Sequence, residues 1–201
     1  MTGWTRHEGL ATALARDNVD TDQLIPARFM SAPRSEGYGR FLLHDMRADC
    51  ALADGASILI AGRNFGCGSS REAAVYALVD AGFRVVIAPS FGDIFAANAV
   101  NNGLLPARAD TAGLLARAPM ALAVDLETQA ITGDGPDLPF DIDPVWRTKL
   151  INGWDDIDLT AAHGAAIATF AAARRAAAPW VWPPATPAEP GHAPANRESK
   201  P

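Results

Sequence analysis

Gly62-Arg63-Asn64-Phe65-Gly66-Cys67-Gly68-Ser69-Ser70-Arg71-Glu72 joins two segments of different periodicity. Before it, Ala56-Ser57-Ile58-Leu59-Ile60-Ala61 is a short apolar run of the kind that forms a buried strand. After it, Ala73-Ala74-Val75-Tyr76-Ala77-Leu78-Val79 places Val75, Leu78 and Val79 on one helical face. A strand, a glycine-rich turn and a helix start in succession collect unpaired backbone N–H groups at the positive end of a helix dipole. Anions bind at such junctions. This turn adds two hydroxyls and a guanidinium.

Helix capping alone accounts for part of the turn. Ser69 and Glu72 have the spacing of a capping box, with Ser69 capping the helix and Glu72 reaching back to it. Such a cap contributes about 1 kcal/mol. It leaves three features unexplained. Gly66 and Gly68 bracket Cys67, as expected where the backbone takes unusual angles or a ligand approaches closely. Ser70 adjoins a cap that needs only one serine. Arg71 puts a cation in the first helical turn, where it opposes the dipole unless an anion is present. Known phosphate and hydrolase motifs do not fit. Arg71 stands where a dinucleotide fingerprint has its third glycine, and the Gly-Lys-Ser/Thr ending of a P-loop is missing. Gly68-Ser69-Ser70-Arg71 is not a Gly-x-Ser-x-Gly elbow. Cys67 at a helix start could be a nucleophile, but none of His7, His44, His163 and His192 is an evident partner.

The rest of the chain supplies a scaffold. Upstream, Gly9 to Leu14 precedes Asp17-Asn18-Val19-Asp20-Thr21-Asp22, an acidic cluster with turn chemistry that either caps a turn or turns one carboxylate toward a site. Ser31 to Gly39 is a Gly/Ser/Pro loop carrying Arg34, a candidate carboxylate clamp. Downstream, strands are expected at Arg84–Ala88, Leu104–Ala107 and Met120–Leu126, with hairpin signals at Gly133-Asp134-Gly135. Helices are expected from Ser90 to a stop at Asn101-Asn102-Gly103, over Asp110–Ala118, from Pro144 toward Gly153, and over Asp158–Ala178. Alternating strands and helices place the chain in the α/β class. The expected domain runs over 1–178, followed by a Pro-rich tail, 179–201. In that tail Pro179–Pro184 is expected to lie extended on a surface, and the residues beyond are expected to be disordered.

Composition narrows the function classes. A formal charge of −6 disfavours nucleic acid as the main partner, because phosphate binding needs a basic face. No stretch approaches the ~18 uninterrupted apolar residues of a membrane span, and the N-terminus lacks a signal-type apolar core, so a cytoplasmic protein is expected. Two cysteines, Cys50 and Cys67, fit a reducing compartment and are too few to hold an iron–sulfur cluster, which takes about three or four thiolates.

Four segments together carry a family resemblance. They are Asn18-Val19-Asp20-Thr21-Asp22-Gln23-Leu24-Ile25-Pro26, then Asn64-Phe65-Gly66-Cys67-Gly68-Ser69-Ser70-Arg71-Glu72, then Ser90-Phe91-Gly92-Asp93-Ile94-Phe95 with Asn102-Gly103-Leu104-Leu105-Pro106, and finally Asn152-Gly153-Trp154-Asp155-Asp156-Ile157-Asp158-Leu159-Thr160. In this order they closely resemble the small subunits of 3-isopropylmalate dehydratase (isopropylmalate isomerase), the free-standing swivel domain of the aconitase superfamily. The likeness spans about residues 5–175.

What the resemblance implies is a single β/β/α swivelling domain that docks on a large subunit carrying a [4Fe-4S] cluster, with no metal held by this chain. The implied substrate is a small dicarboxylate hydroxyacid, dehydrated and rehydrated by way of isopropylmaleate in leucine biosynthesis. By position, Ser69 matches the family's catalytic base. Ser70 and Arg71 match its substrate-carboxylate contacts, Arg34 lies near a loop arginine that grips substrate, and Asp22 matches an aspartate that orients the site. The chain departs from the family pattern in Ala73, where a histidine is usual, in the register of Arg34, in a short stretch between Arg47 and Ala56, and in the tail. These departures leave two alternatives. One is a related dehydratase acting on citramalate, homocitrate or a dimethylmalate; the other is a docking module without catalysis.

Overall fold

The computed structural model describes residues 2–182, and the part of the expected disordered tail beyond Trp182 lies outside them. The first of two compact units, Met1–Leu159, is built on one seven-stranded sheet. Its strands are β1 (Arg6–Leu14), β2 (Ile58–Ala61), β3 (Val85–Ala88), β4 (Leu105–Arg108), β5 (Met120–Asp125), β6 (Ala130–Gly133) and β7 (Gly135–Pro139), in the spatial order β4-β3-β2-β1-β5-β6-β7. The α/β class is as expected from the alternation of elements.

The sheet has two halves of different character. β1, β2, β3 and β4 are parallel, whereas β5, β6 and β7 form an antiparallel meander on the other side of β1. All residues of β2 and β3 are buried, as parallel strands covered on both faces must be. Alternate side chains feed two cores. Leu59, Ala61, Val86 and Ala88 face one, while Ile58, Ile60, Val85 and Ile87 face the other. The outer strands β4 and β7 carry Pro106, Pro136 and Pro139, which donate no ladder hydrogen bond and are tolerated at an edge.

Helices join the parallel strands. α1 (Thr21–Leu24) and four short 3-10 turns between Ala27 and Met46 lie between β1 and β2. α2 (Glu72–Asp80) links β2 to β3, and α3 (Asp93–Asn101) links β3 to β4. α4 (Ala112–Leu115) precedes β5, and α5 (Pro144–Asn152) follows the meander with Asp143 as its N-cap. Gly103 ends α3 with φ +77°, the expected glycine stop. Lys149 of α5 is 3% exposed, and its ammonium donates to Asn101 at the end of α3 and to Asp156 Oδ1 at 2.7 Å. A buried ammonium without such acceptors would be strongly destabilising.

Three expectations need correction. The strand at the centre of the sheet, β1, begins at Arg6, in a region where no element was expected. The helix expected over Asp158–Ala178 is two helices, α6 (Asp156–Ala161) and α7 (Gly164–Ala177), with His163 as the N-cap of the second. Pro179–Val181, expected to be extended, is a 3-10 turn. The second compact unit begins at Thr160 and includes α7 and this turn. Among the described residues no helix is long and apolar enough to cross a membrane.

A histidine in β1 gives the fold a pH dependence. His7 Nε2 is 2.8 Å from Ser57 Oγ, and burial, assisted by the charge of Arg84, holds the imidazole below its ordinary pKa of 6.5. The folded state therefore favours the neutral ring, and the unfolded chain takes up the proton first as pH falls. Stability from this group is complete above about pH 6.5 and declines below it until the folded imidazole also titrates. Urea unfolding at pH 7.5 and 5.5 is expected to show a smaller loss of stability on acidification for H7Q than for the native chain.

Candidate active site

The ends of three parallel strands converge on one place. β1 runs into the 15–21 loop, β2 into the 62–71 loop and β3 into the 89–92 loop. All three loops leave the carboxyl edge of the sheet, the usual location of ligand sites in open α/β folds. The middle loop is stitched to both neighbours by backbone hydrogen bonds. On one side, Asn18 N–H donates to Arg63 O (2.9 Å), Gly66 N–H to Val19 O (2.8 Å) and Thr21 N–H to Cys67 O (3.1 Å). On the other, Phe65 N–H donates to Ser90 O (3.0 Å) and Gly92 N–H to Phe65 O (2.9 Å). Asn64 Nδ2 donates to Asn18 Oδ1 at 2.8 Å, and Asp17 accepts from Arg63 Nε at 2.8 Å.

Two glycines are required here for different reasons. Gly66 has φ +72°, and a Cβ on it would lie 2.2 Å from the Phe95 ring. Gly68 has φ +88°, but a Cβ on it would make only ordinary contact, 3.4 Å from Asp20 Cβ, so its constraint is the backbone angle alone. The pair turns Ser69, Ser70 and Arg71 outward along a cleft of about 250 Å³, lined also by Thr21, Cys67 and the start of α3 from Gly92 to Phe95.

The acidic cluster of the sequence divides its labour. Asp20 caps α1 in a reciprocal box, accepting from Gln23 N–H at 2.7 Å while its own N–H donates to Gln23 Oε1 at 3.0 Å. Asp22, two residues on, pairs with the Arg71 guanidinium. Arg71 is 21% exposed and Asp22 54% exposed, so this pair contributes at most about 1 kcal/mol to stability. Its consequence is orientation: one edge of the guanidinium is held, leaving other N–H groups available. Thr21, 2% exposed, donates from Oγ1 to Ser69 O at 2.8 Å and fixes the backbone of that serine. Thr21 carries no charge, and only the fold reveals its contact with Ser69.

The capping box expected at Ser69 does not form. α2 begins at Glu72 with Arg71 in the cap position, and no side chain caps it. The Glu72 carboxylate instead accepts from Asn102 Nδ2 at 3.0 Å, beyond the end of α3. Both serines are exposed, and among the described residues neither hydroxyl is engaged within the protein. Arg34 is elsewhere. Its two terminal nitrogens donate to Asp80 at 2.6 and 2.9 Å, and its guanidinium lies 4.3 Å over the Tyr76 ring. Asp80 is the last residue of α2, about 13 Å along the helix from the Ser69 turn at 1.5 Å per residue. The structure thus brings together Asp22, Ser69, Ser70 and Arg71, and leaves Arg34 apart. Cys67 is half-buried beside them, and among the described residues no histidine lines the cleft.

The chain has counterparts among known proteins. Residues 1–112 match the family model of the aconitase C-terminal domain. A 3-isopropylmalate dehydratase small subunit from Shouchella clausii is 46% identical, covering 82% of this chain and 92% of that one. One from Bacillus pumilus is 48% identical over 77% of this chain and 87% of that one. The chain belongs to the 3-isopropylmalate dehydratase small-subunit family. The crystal structure of a 3-isopropylmalate dehydratase from Methanocaldococcus jannaschii superposes with a TM-score of 0.68 at 26% identity, over 82% of this chain and 98% of that one. The swivel-type α/β fold implied by the motifs is therefore the fold observed.

The two glycines give separable outcomes. G66A combines a left-handed backbone with a clash against Phe95 and is expected to cost about 2–4 kcal/mol. G68A meets only the backbone term, about 1–2 kcal/mol. Urea unfolding of the two variants beside the native chain measures the difference.

Proposed function

We propose that this chain supplies half of an active site in the hydro-lyase that converts 2-isopropylmalate to 3-isopropylmalate in leucine biosynthesis. The observation that carries the proposal is the convergence of Ser69, Ser70 and an Asp22-oriented Arg71 on one cleft at the carboxyl edge of the sheet. Relatives named as the small subunit of this dehydratase, at 43–48% identity, favour it over the citramalate, homocitrate and dimethylmalate alternatives. The intact Ser69-Ser70-Arg71 constellation favours it over a docking module without chemistry.

The reaction removes a proton and a hydroxyl from adjacent carbons, giving isopropylmaleate and water, then returns them in the opposite sense. Ser69 Oγ is the group in this chain that takes and returns the proton. It acts as the alkoxide, which water alone would not supply, because a serine hydroxyl is far too weak an acid to ionise near neutral pH. Preorganised donors counter this, each contributing about 2.7–4 kcal/mol to a developing oxyanion. The positive end of α2 and the Arg71 guanidinium lie next to Ser69 in this chain. Arg71 and the Ser70 hydroxyl grip a substrate carboxylate, with Asp22 holding the guanidinium plane. Arg34, where it stands on Asp80, gives no direct support to its proposed substrate contact.

The family implies a [4Fe-4S] cluster as Lewis acid for the departing hydroxyl. The residues of this chain do not fit as its holder. Cys50 and Cys67 are its only cysteines, and among the described residues no three His, Cys, Asp or Glu side chains are grouped to hold a metal. The cluster is accordingly assigned to the large subunit. This chain binds the substrate carboxylate, orients it and moves a proton at Ser69. A cytoplasmic location belongs to the same proposal.

Co-expression with the cognate large subunit, followed by anaerobic assay of isopropylmalate isomerisation, tests the assignment. S69A is expected to assemble normally and lose about 10²–10⁴-fold in turnover. R71K keeps the charge but loses the planar fork, and is expected to lower kcat/KM about 10–100-fold, mainly through KM. Near-native turnover by S69A in an assembled complex would remove Ser69 from the chemistry.

A further inference from the structure

We infer that the first turn of α3, with Ile94 at its crest, anchors the large subunit on this chain; the inference rests on the dehydratase-subunit reading. Ile94 is 55% exposed, although its neighbour Phe95 is 3% exposed and packs edge-on against Phe65, with ring centroids 5.3 Å apart. Isolated exposed apolar side chains are ordinary on protein surfaces. Ile94 differs in position. Met30, Val145 and Ile157 are the other large apolar side chains exposed among the described residues of the first unit, and none of them lines the Ser69 cleft. Ile94 does.

The surroundings of this turn suit an interface. On its other flank, Phe91 and Ala96 line a second groove of about 420 Å³, with Arg108, Asp141 and Trp146 among its other walls. The first turn of α3 is therefore a ridge between two concavities. It is held rigidly. Gly92 donates its N–H to Phe65 O, and a Cβ on Gly92 would stand 2.6 Å from Gly66 O, so the loop backbones are in close contact. An apolar crest flanked by Asp93 and Arg71 has the layout of an interface anchor, with an apolar centre and a charged rim.

The occupant follows from what the cleft lacks. Ser69 and Ser70 are exposed, and an exposed serine is no base. A surface from outside this chain must close over the cleft and exclude water. The metal-bearing subunit is the chain that the reaction requires at that position. A surface that covers Ser69 at close range also buries Ile94, because both line the same cleft of about 250 Å³.

The test uses the separately purified small and large subunits, mixed anaerobically, with the dissociation constant measured by titration calorimetry. I94E is expected to weaken assembly by at least about tenfold, and I94L to stay within about threefold of the native value. Urea midpoints near the native one for both variants exclude misfolding as the cause. F170E, in the exposed α7 of the second unit, is expected to leave the constant unchanged. Native affinity for I94E overturns the inference, as does loss of assembly with F170E in place of I94E. Native subunits that assemble in an Ile94-dependent way but do not isomerise isopropylmalate support the docking surface and overturn the functional reading. Native subunits that do not associate overturn both.

Discussion

The whole site hangs on backbone hydrogen bonds between three loops. The 62–71 loop has no regular structure of its own, yet its Phe65, Gly66 and Cys67 peptide groups are paired with Val19, Thr21, Ser90 and Gly92. Those bonds extend the logic of the sheet past the last residues of β1, β2 and β3. Isolated parallel bridges at Asp20–Cys67 and Phe65–Phe91 continue the strand pairing for one residue each. A loop held this way has little freedom, so the hydroxyls it presents keep a fixed direction. That rigidity is what the proposed catalytic base and carboxylate clamp would require of their scaffold.

The same stitching explains where charge is placed. Asp17 and Arg63 join the first and second loops at their outer end, and Asp22, in α1, joins Arg71 of the second loop at the inner end. Neither pair is buried enough to matter much for stability. The outer pair ties two loops together at the surface. The inner pair sets the orientation of the guanidinium of Arg71, a residue that lines the cleft. Arg34 belongs to a third arrangement. Two hydrogen bonds to Asp80 and contact with the Tyr76 ring fasten the 3-10 segment between β1 and β2 onto the far end of α2.

The division between legible and illegible elements has physical causes. β2 and β3 were readable because strands buried on both faces consist of β-branched and large apolar residues in an unbroken run. β1 sits at the centre of the same sheet and was not readable. Its Arg6, Glu8, Gly9, Ala11, Thr12 and Ala13 carry little hydrophobic pattern, because the strand earns its place by pairing with β2 and β5. The Ser69 capping box failed for a comparable reason. Local spacing permits the box, but the neighbouring loops hold the backbone elsewhere and Asn102 takes the glutamate.

By itself the sequence determined which residue types the candidate site contains. The Gly-Cys-Gly-Ser-Ser-Arg turn between a strand and a helix, the Asp-Thr-Asp segment, the α/β class and the family likeness were all present in residue types and their order. Only the tertiary structure decided which of those residues meet. Side chains about 50 positions apart in sequence, Asp22 and Arg71, become partners because parallel strand pairing brings the ends of β1 and β2 side by side. Arg34 goes to Asp80, and Ile94 to the rim of the cleft, for the same kind of reason. Local preferences encode turns, caps and buried runs, whereas the register of a parallel sheet is a long-range property that no short window of residues contains.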